Sequence, residues 1–331
     1  MIRDQKQKPG EMKFYLENLD RQMLEGVELG RSFRSPASWG KISRICFFGM
    51  GGSAASGDVL RVLNSGKIAF HVFRSSQFPK WIGRETLTVF SSYSGNTVET
   101  LEAFSQAFKS GAKILAVSSG GKLEEIALRR EIPLIKIPQG FPPRCAIGYL
   151  TFSLVPVFHK MGWIHAPEKD VREAVLAVSH VKRPRAKSLA RQMAGRFVHF
   201  YGASGFAEPL LARWKAQFAE NAKTLTASHG MPEMFHNEVE GWEFPELKKH
   251  SAVFFTSRND SGWLQRKRQR VQKIVKAAGA HCLEIKAQGE SLLARLFSLI
   301  ALGDWTSYEL ACLNKVNPLD ISHIENLKRI K

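Results

Sequence analysis

The chain sets out one strand–turn–helix pattern and then repeats it. Residues 42–48 (ISRICFF) read as a strand. The Gly/Ser turn GMGGSAASGD (49–58) follows, and DVLRVL opens a helix. A second strand at 87–90 feeds SSYSGNT (91–97) and the helical VETLEAFSQAF. A third at 113–117 ends in SSGG, and a fourth at 133–137 ends in PQGFPPR. Past the midpoint, a strand at 195–201 (GRFVHFY) runs into GASGFAEPLLARWKAQF. One at 251–256 (SAVFFT) runs into SRNDSG and a basic helix, and a third lies at 281–285. Laying first strand on first strand offsets the halves by 153 residues, from Ile45 to Val198. The second strands give 165, from Phe90 to Phe255. Short strands alternating with helices require a parallel sheet covered on both faces. Two such runs in the same order predict two copies of one α/β unit. The 331-residue length agrees, at roughly 150 residues per domain. The expected division is 1–165 and 166–331, with a join near 165–190. Apolar spacing at Phe14, Leu16, Leu19, Met23, Leu24 and Val27 predicts a helix over 11–30.

Composition narrows the class. Hydrophobic residues make up 44% and charged residues 24%, ordinary for a soluble globular chain, which excludes disorder, collagen and coiled coil. The unusual number is the charge: 48 Lys and Arg against 30 Asp and Glu, or +18. That points to an anionic partner. The excess divides evenly, +9 in 1–160 and +9 in 161–331, so there is no basic arm. The basic stretch 265–276 has apolar positions at Leu264, Val271, Ile274 and Val275, one buried face under a charged outer one. No aromatic platform accompanies it, so no nucleic-acid partner is expected. The apolar run 145–158 is shorter than the ~20 residues a membrane span needs and reads as a buried helix. No membrane partner is expected, and the N-terminus lacks the apolar core of a signal peptide. Cys46, Cys145, Cys282 and Cys312 have no CxxC spacing and sit among apolar residues. They read as reduced core thiols of a cytoplasmic protein.

Five segments could carry chemistry. GMGGS (49–53) joins a strand to a helix, where glycine N–H groups and the helix N-terminus suit an anion. A plain tight turn is the alternative, and the dinucleotide fingerprint G-x-G-x-x-G is absent. SSYSGNT places the hydroxyls of Ser92, Ser94 and Thr97 around one glycine. Such donors suit a phosphate monoester, and a polar turn with Thr97 as helix cap is the rival reading. Arg144 in PPR stands at a strand-to-helix junction. Glu220 in FAENAK has apolar neighbours, a setting that raises a carboxyl pKa and suits a general base. His236 in HNEVEGW, after the loop SHGMPEMF, is a candidate acid or base. HNE lacks the i, i+4 histidine pair of a zinc hydrolase, so no metal is expected. The hydroxyl-bearing turn occurs only in the first copy, where SRNDSG stands in the second. The first copy therefore reads as the ligand-bearing one.

GMGGSAASGD, SSYSGNTVETL, PPRCAIGYL, FAENAK and HNEVEGW occur together and in order. Together they resemble the bifunctional phosphoglucose/phosphomannose isomerase family, built from two sugar isomerase (SIS) domains, over about residues 12–331. The resemblance implies two tandem SIS domains, each a mostly parallel sheet flanked by helices. It implies reversible conversion of glucose 6-phosphate and mannose 6-phosphate to fructose 6-phosphate through a cis-enediolate. It assigns the phosphate to Gly52, Ser53, Ser92, Ser94 and Thr97, the base to Glu220 and the enediolate stabiliser to Arg144. It assigns ring opening to His236 from the partner of a homodimer, helped by a C-terminal lysine matched here by Lys328. It implies no cofactor. A sugar-phosphate sensor without catalysis is the alternative. NPLDI (317–321) stands where the family reads Asp-Pro-Thr-Pro-Val, and Ala54-Ala55 where Gly-Ile or Gly-Val is common.

Overall fold

Every pairing between named strands is parallel, as the alternation of strands and helices demands. A computed structural model describes residues 11–64, 66–243 and 247–330. They form two compact units, Glu17–Leu176 and Ala177–Lys331, the latter with residues up to Leu16. The chain opens with α1 (Glu11–Glu17) and α2 (Leu19–Ser32), two helices where the spacing predicts one. They part at Asn18, whose backbone leaves the helical region (φ −106°, ψ 20°).

The first unit continues with β1 (Arg44–Phe48), α3 (Gly51–Val62), β2 (Ala69–Phe73), β3 (Thr86–Ser92), α4 (Val98–Ala107) and β4 (Lys113–Ser118). α5 (Gly121–Arg129), β5 (Leu134–Lys136), α6 (Ile147–Phe152) and α7 (Val155–Lys160) follow, and α8 (Glu168–Ser179) runs across the division at Leu176. Its sheet has the order β2-β1-β3-β4-β5. The core is aromatic: Phe48 stacks on Phe73, Phe78 and Phe90 at 4.8, 5.4 and 4.9 Å. Each such burial is worth about 1.5–3 kcal/mol. Two expectations are corrected. α3 begins at Gly51, inside the segment read as a turn. The run 145–158 is not one helix but α6 and α7. Pro156 has no N–H to donate back to Phe152, and the helix restarts with that proline in its first turn. The edge strand β2 was not predicted.

The second unit holds α9 (Arg183–Met193), β6 (Phe197–Ala203), α10 (Glu208–Ala222), β7 (Thr226–Met231), β8 (His250–Thr256), α11 (Gly262–Ala277), β9 (His281–Lys286), α12 (Leu292–Leu313) and α13 (Ser322–Lys328). Its sheet order, β7-β6-β8-β9, repeats the first sheet without the equivalent of β5. β7 takes in half of the segment read as a loop. The two faces of this sheet are distinct. Phe200 and Phe255 meet Trp214 and Phe218 of α10 on one face. Tyr201 and Phe254 pack with Met234, Trp242, Leu264, Val271 and Val275 on the other.

Of the four positions predicted to be buried, α11 buries Leu264, Val271 and Val275 and leaves Ile274 half-buried, and it also buries Arg268, which pairs with Asp260. All four cysteines are free. Cys46 and Cys145 are buried, Cys282 is half-buried and Cys312 is exposed on the last turn of α12, so a wholly buried set of thiols is not what the fold has. Burial pushes the Cys46 thiol up to about 12. Among the described residues no helix is long and apolar enough to cross a membrane.

Candidate active site

At the carboxyl edge of the first sheet, the adjacent strands β1 and β3 each feed a helix. The first N–H groups of α3 and α4 have no partners within their helices, and both termini carry partial positive charge. Ser53 lies in the first turn of α3, buried, its Oγ accepting the Tyr93 N–H at 3.2 Å. Thr97 holds the N-cap position of α4 but makes no side-chain cap. Its hydroxyl lies 2.9 Å from that of buried Ser92 instead. Ser94 is exposed on the same turn and accepts the Asn96 N–H. Gly95 (φ +68°) makes the turn possible: a Cβ there would overlap the Gly120 carbonyl oxygen.

Arg144 joins this group through the backbone. It lies in the short helical turn Pro143–Cys145 and is 5% exposed. A Cβ on Gly52 would stand 2.8 Å from the Pro143 carbonyl oxygen and 3.2 Å from Arg144 Cα. Only glycine lets the two segments touch. The structure therefore brings Gly52, Ser53, Ser92, Ser94, Thr97 and Arg144 to one edge of the first unit.

Glu220 sits half-buried in the last turn of α10. The helix beneath it is fastened to α12 by polar groups at i, i+4 and i+8. Arg213 makes a bidentate pair with Asp304 (3.0 and 2.6 Å), Gln217 donates to the same carboxylate (2.8 Å), and Asn221 donates to Ser307 (2.9 Å). All five side chains are buried. Lys223, in the left-handed conformation that ends α10, donates to the carbonyls of Glu220 and Asp320 at 2.5 Å each.

His236 lies elsewhere. It ends the short helical turn Glu233–His236 after β7, exposed to solvent. Flanking Met234 and Trp242 belong to the Tyr201–Phe254 face, whereas α10 covers the Phe200–Phe255 face. The second sheet thus separates Glu220 from His236 within one chain. Lys328 is exposed in α13, which has no buried residue.

The model of the bacterial phospho-glucose isomerase C-terminal SIS domain matches residues 182–330. A bifunctional phosphoglucose/phosphomannose isomerase of Caldicellulosiruptor bescii is 34% identical, over 94% of this chain and 96% of its own length. One from Thermoplasma acidophilum is also 34% identical, over 93% and 94%. This chain belongs to the bifunctional phosphoglucose/phosphomannose isomerase family. Solved structures carry the same fold. A hypothetical protein of Thermus thermophilus aligns with a TM-score of 0.76 at 16% identity, covering 97% of this chain and 89% of that one. The architecture is that of two SIS domains, each a parallel sheet flanked by helices.

Sequence reasoning missed several residues that shape the candidate site. The Tyr93 hydroxyl donates to the Pro138 carbonyl (2.9 Å) and accepts the Phe141 N–H (2.8 Å), holding the segment that leads to Arg144. Ser118 and Ser119 donate to the carbonyls of Ser92 and Tyr93 at 2.7 and 2.6 Å, bracing the hydroxyl turn from β4. The available signal was SSGG, a second Ser/Gly turn on the next strand. Lys223 had a signal too, as the cation of FAENAK. The NPLDI departure touches it, because Asp320, the fourth residue of that segment, is its second acceptor.

Proposed function

We propose that the protein interconverts glucose 6-phosphate and mannose 6-phosphate with fructose 6-phosphate. The observation that carries this reading is the contact of Gly52 with Pro143 and Arg144. It sets the backbone of a buried arginine against the first turn of α3, next to Ser53. On this reading Gly52, Ser53, Ser92, Ser94 and Thr97 hold the phosphate with N–H and O–H donors. Glu220 takes the proton from C2 and returns it to C1. Arg144 stabilises the enediolate oxygen as charge builds on it. Substrate and product are isomers, so no external electron carrier enters the balance. Glucose and mannose 6-phosphates are C2 epimers, and loss of the C2 proton erases the difference. One base can serve both.

His236 opens the sugar ring, and it does so for a second copy of the chain. This explains why one chain holds it on the sheet face away from Glu220, and it makes the active form a homodimer. Lys328 assists ring opening. The free cysteines suit a cytoplasmic protein.

A coupled assay on both substrates in EDTA tests the activity. Turnover of both is expected, with a loss of about 10²–10⁴-fold in Glu220→Gln. Binding without turnover would make the protein a sugar-phosphate sensor instead. Mixing inactive Glu220→Gln with inactive His236→Ala tests the dimer. Subunit exchange should restore activity, because one site of each heterodimer then combines an intact Glu220 with an intact His236. No recovery despite exchange would mean that His236 does not act across subunits.

A further inference from the structure

Behind His236 lies a cluster of titratable side chains with no part in the roles above. The Glu238 carboxylate accepts the Tyr201 hydroxyl at 2.6 Å and lies 2.6 Å from His229 Nδ1 and 3.6 Å from His199 Nδ1. The Tyr201 hydroxyl in turn accepts the Trp242 indole N–H at 3.1 Å. His199 Nε2 stands 3.0 Å from His250 Nδ1. The cluster therefore spans β6, β7, the start of β8 and both ends of the short helical turn Glu238–Glu243. Among the described residues no group of three or more His, Cys, Asp and Glu side chains is placed to hold a metal ion. Glu238 is held down to about 2. His199 contributes most, burial opposes it, and Tyr201 and His229 add to it; the 3.6 Å His199 contact is nonetheless longer than the other two. The group is a permanent carboxylate at working pH.

The segment around His236 shows what the anchor does. Met234 is fully buried on one side. On the other, Asn237 donates to Glu233 (3.0 Å) and accepts the Glu238 N–H (2.6 Å), closing the turn. The His236 imidazole is exposed and has no hydrogen-bond partner among the described residues. Its place is set by its backbone alone, and that backbone is tied down two residues later by Glu238.

We propose that Glu238 is the positioning residue for His236, binding the turn that presents the imidazole to β6 and β7 through Tyr201 and His229. The inference rests on the reading of His236 as the ring-opening group. A displacement of about 1 Å in a catalytic group can cost on the order of 10²-fold, which sets the scale of the effect.

The test compares two substrates. Glucose 6-phosphate must be ring-opened. Its 4,5-dideoxy analogue has no hydroxyl placed to close a five- or six-membered ring and needs no opening. Glu238→Ala should lower kcat on glucose 6-phosphate by tenfold or more, leave its KM, and leave turnover of the analogue. His236→Ala should show the same pattern, and the double variant should be no worse than His236→Ala alone. Glu238→Gln, which can still accept from Tyr201, should recover most of the rate. If Glu238→Ala proves unstable, Tyr201→Phe should give a smaller loss with the same substrate pattern. Unchanged kcat in a folded Glu238→Ala, equal losses on both substrates, or multiplying losses in the double variant would each overturn the positioning role. If His236→Ala itself spares glucose 6-phosphate, the ring-opening reading fails first and takes the inference with it.

Discussion

The turns after β3 and β8 occupy equivalent places in the two units, yet one is open to an anion and the other holds its own. After β3, Ser92 and Thr97 face each other beside the start of α4. After β8, the Asp260 carboxylate accepts the Ser257 N–H at 3.2 Å and the Arg268 guanidinium at 2.6 Å, just before α11 begins. Its side chain is 3% exposed and that of Arg268 7%. A fixed acid thus fills the sort of place where a phosphate would sit in the other copy. If the proposed phosphate site is right, a duplicated fold supplies two potential anion-binding edges, and a single aspartate with its arginine is enough to close one of them.

The comparison breaks most directly at Asp260. Asp260→Asn should leave the buried Arg268 with only the more distant Glu284 carboxylate (3.9 Å) as an ionic partner, costing about 3 kcal/mol of stability. Denaturant unfolding measures this, and KM of the folded fraction should not move. Ser92→Ala should do the reverse. Loss of one hydroxyl donor to a charged ligand, about 1.5–3 kcal/mol, raises KM roughly 10–100-fold with little change in stability. Ser257→Ala is the control and should leave KM alone; a rise would mean that the second turn also serves the substrate. The smallest effect concerns acid. The Glu238 pKa is lowered on folding, so its contribution is complete above the ordinary value of 4.5 and is lost as pH falls towards about 2. Glu238→Gln should flatten the pH dependence of stability in that window.

The central strands were legible because they are buried on both faces and read as near-continuous apolar runs, such as RICFF and SAVFF. Of the four edge strands, β5 and β9 were legible too, but β2 and β7 were not. AFHVF and TASHGM hold their places through backbone pairing with one neighbour, and TASHGM carries hardly any strand-forming side chains. The start of α3 was hidden because Gly and Ser read as turn formers, although Ser53 and Ala54 are buried there. The hydroxyl turns were legible because their chemistry is local. Tyr201 and Glu238 are 37 residues apart, Arg213 and Asp304 are 91, and Lys223 and Asp320 are 97. No spacing along the chain announces such partners.

The polar ladder beneath Glu220 works as a key in a shaft. An apolar helix can turn or slide against its neighbour while losing only some contact. Here Arg213, Gln217 and Asn221 each need a particular acceptor on α12. A shift of one residue turns a helix by about 100° and would strand all three groups in the core. The direction of Glu220, next in line to Asn221, is therefore set digitally: α10 is either in register with α12 or not docked at all. Variation elsewhere in the chain can leave Glu220 aimed as before, because its aim is set on the buried side of the helix.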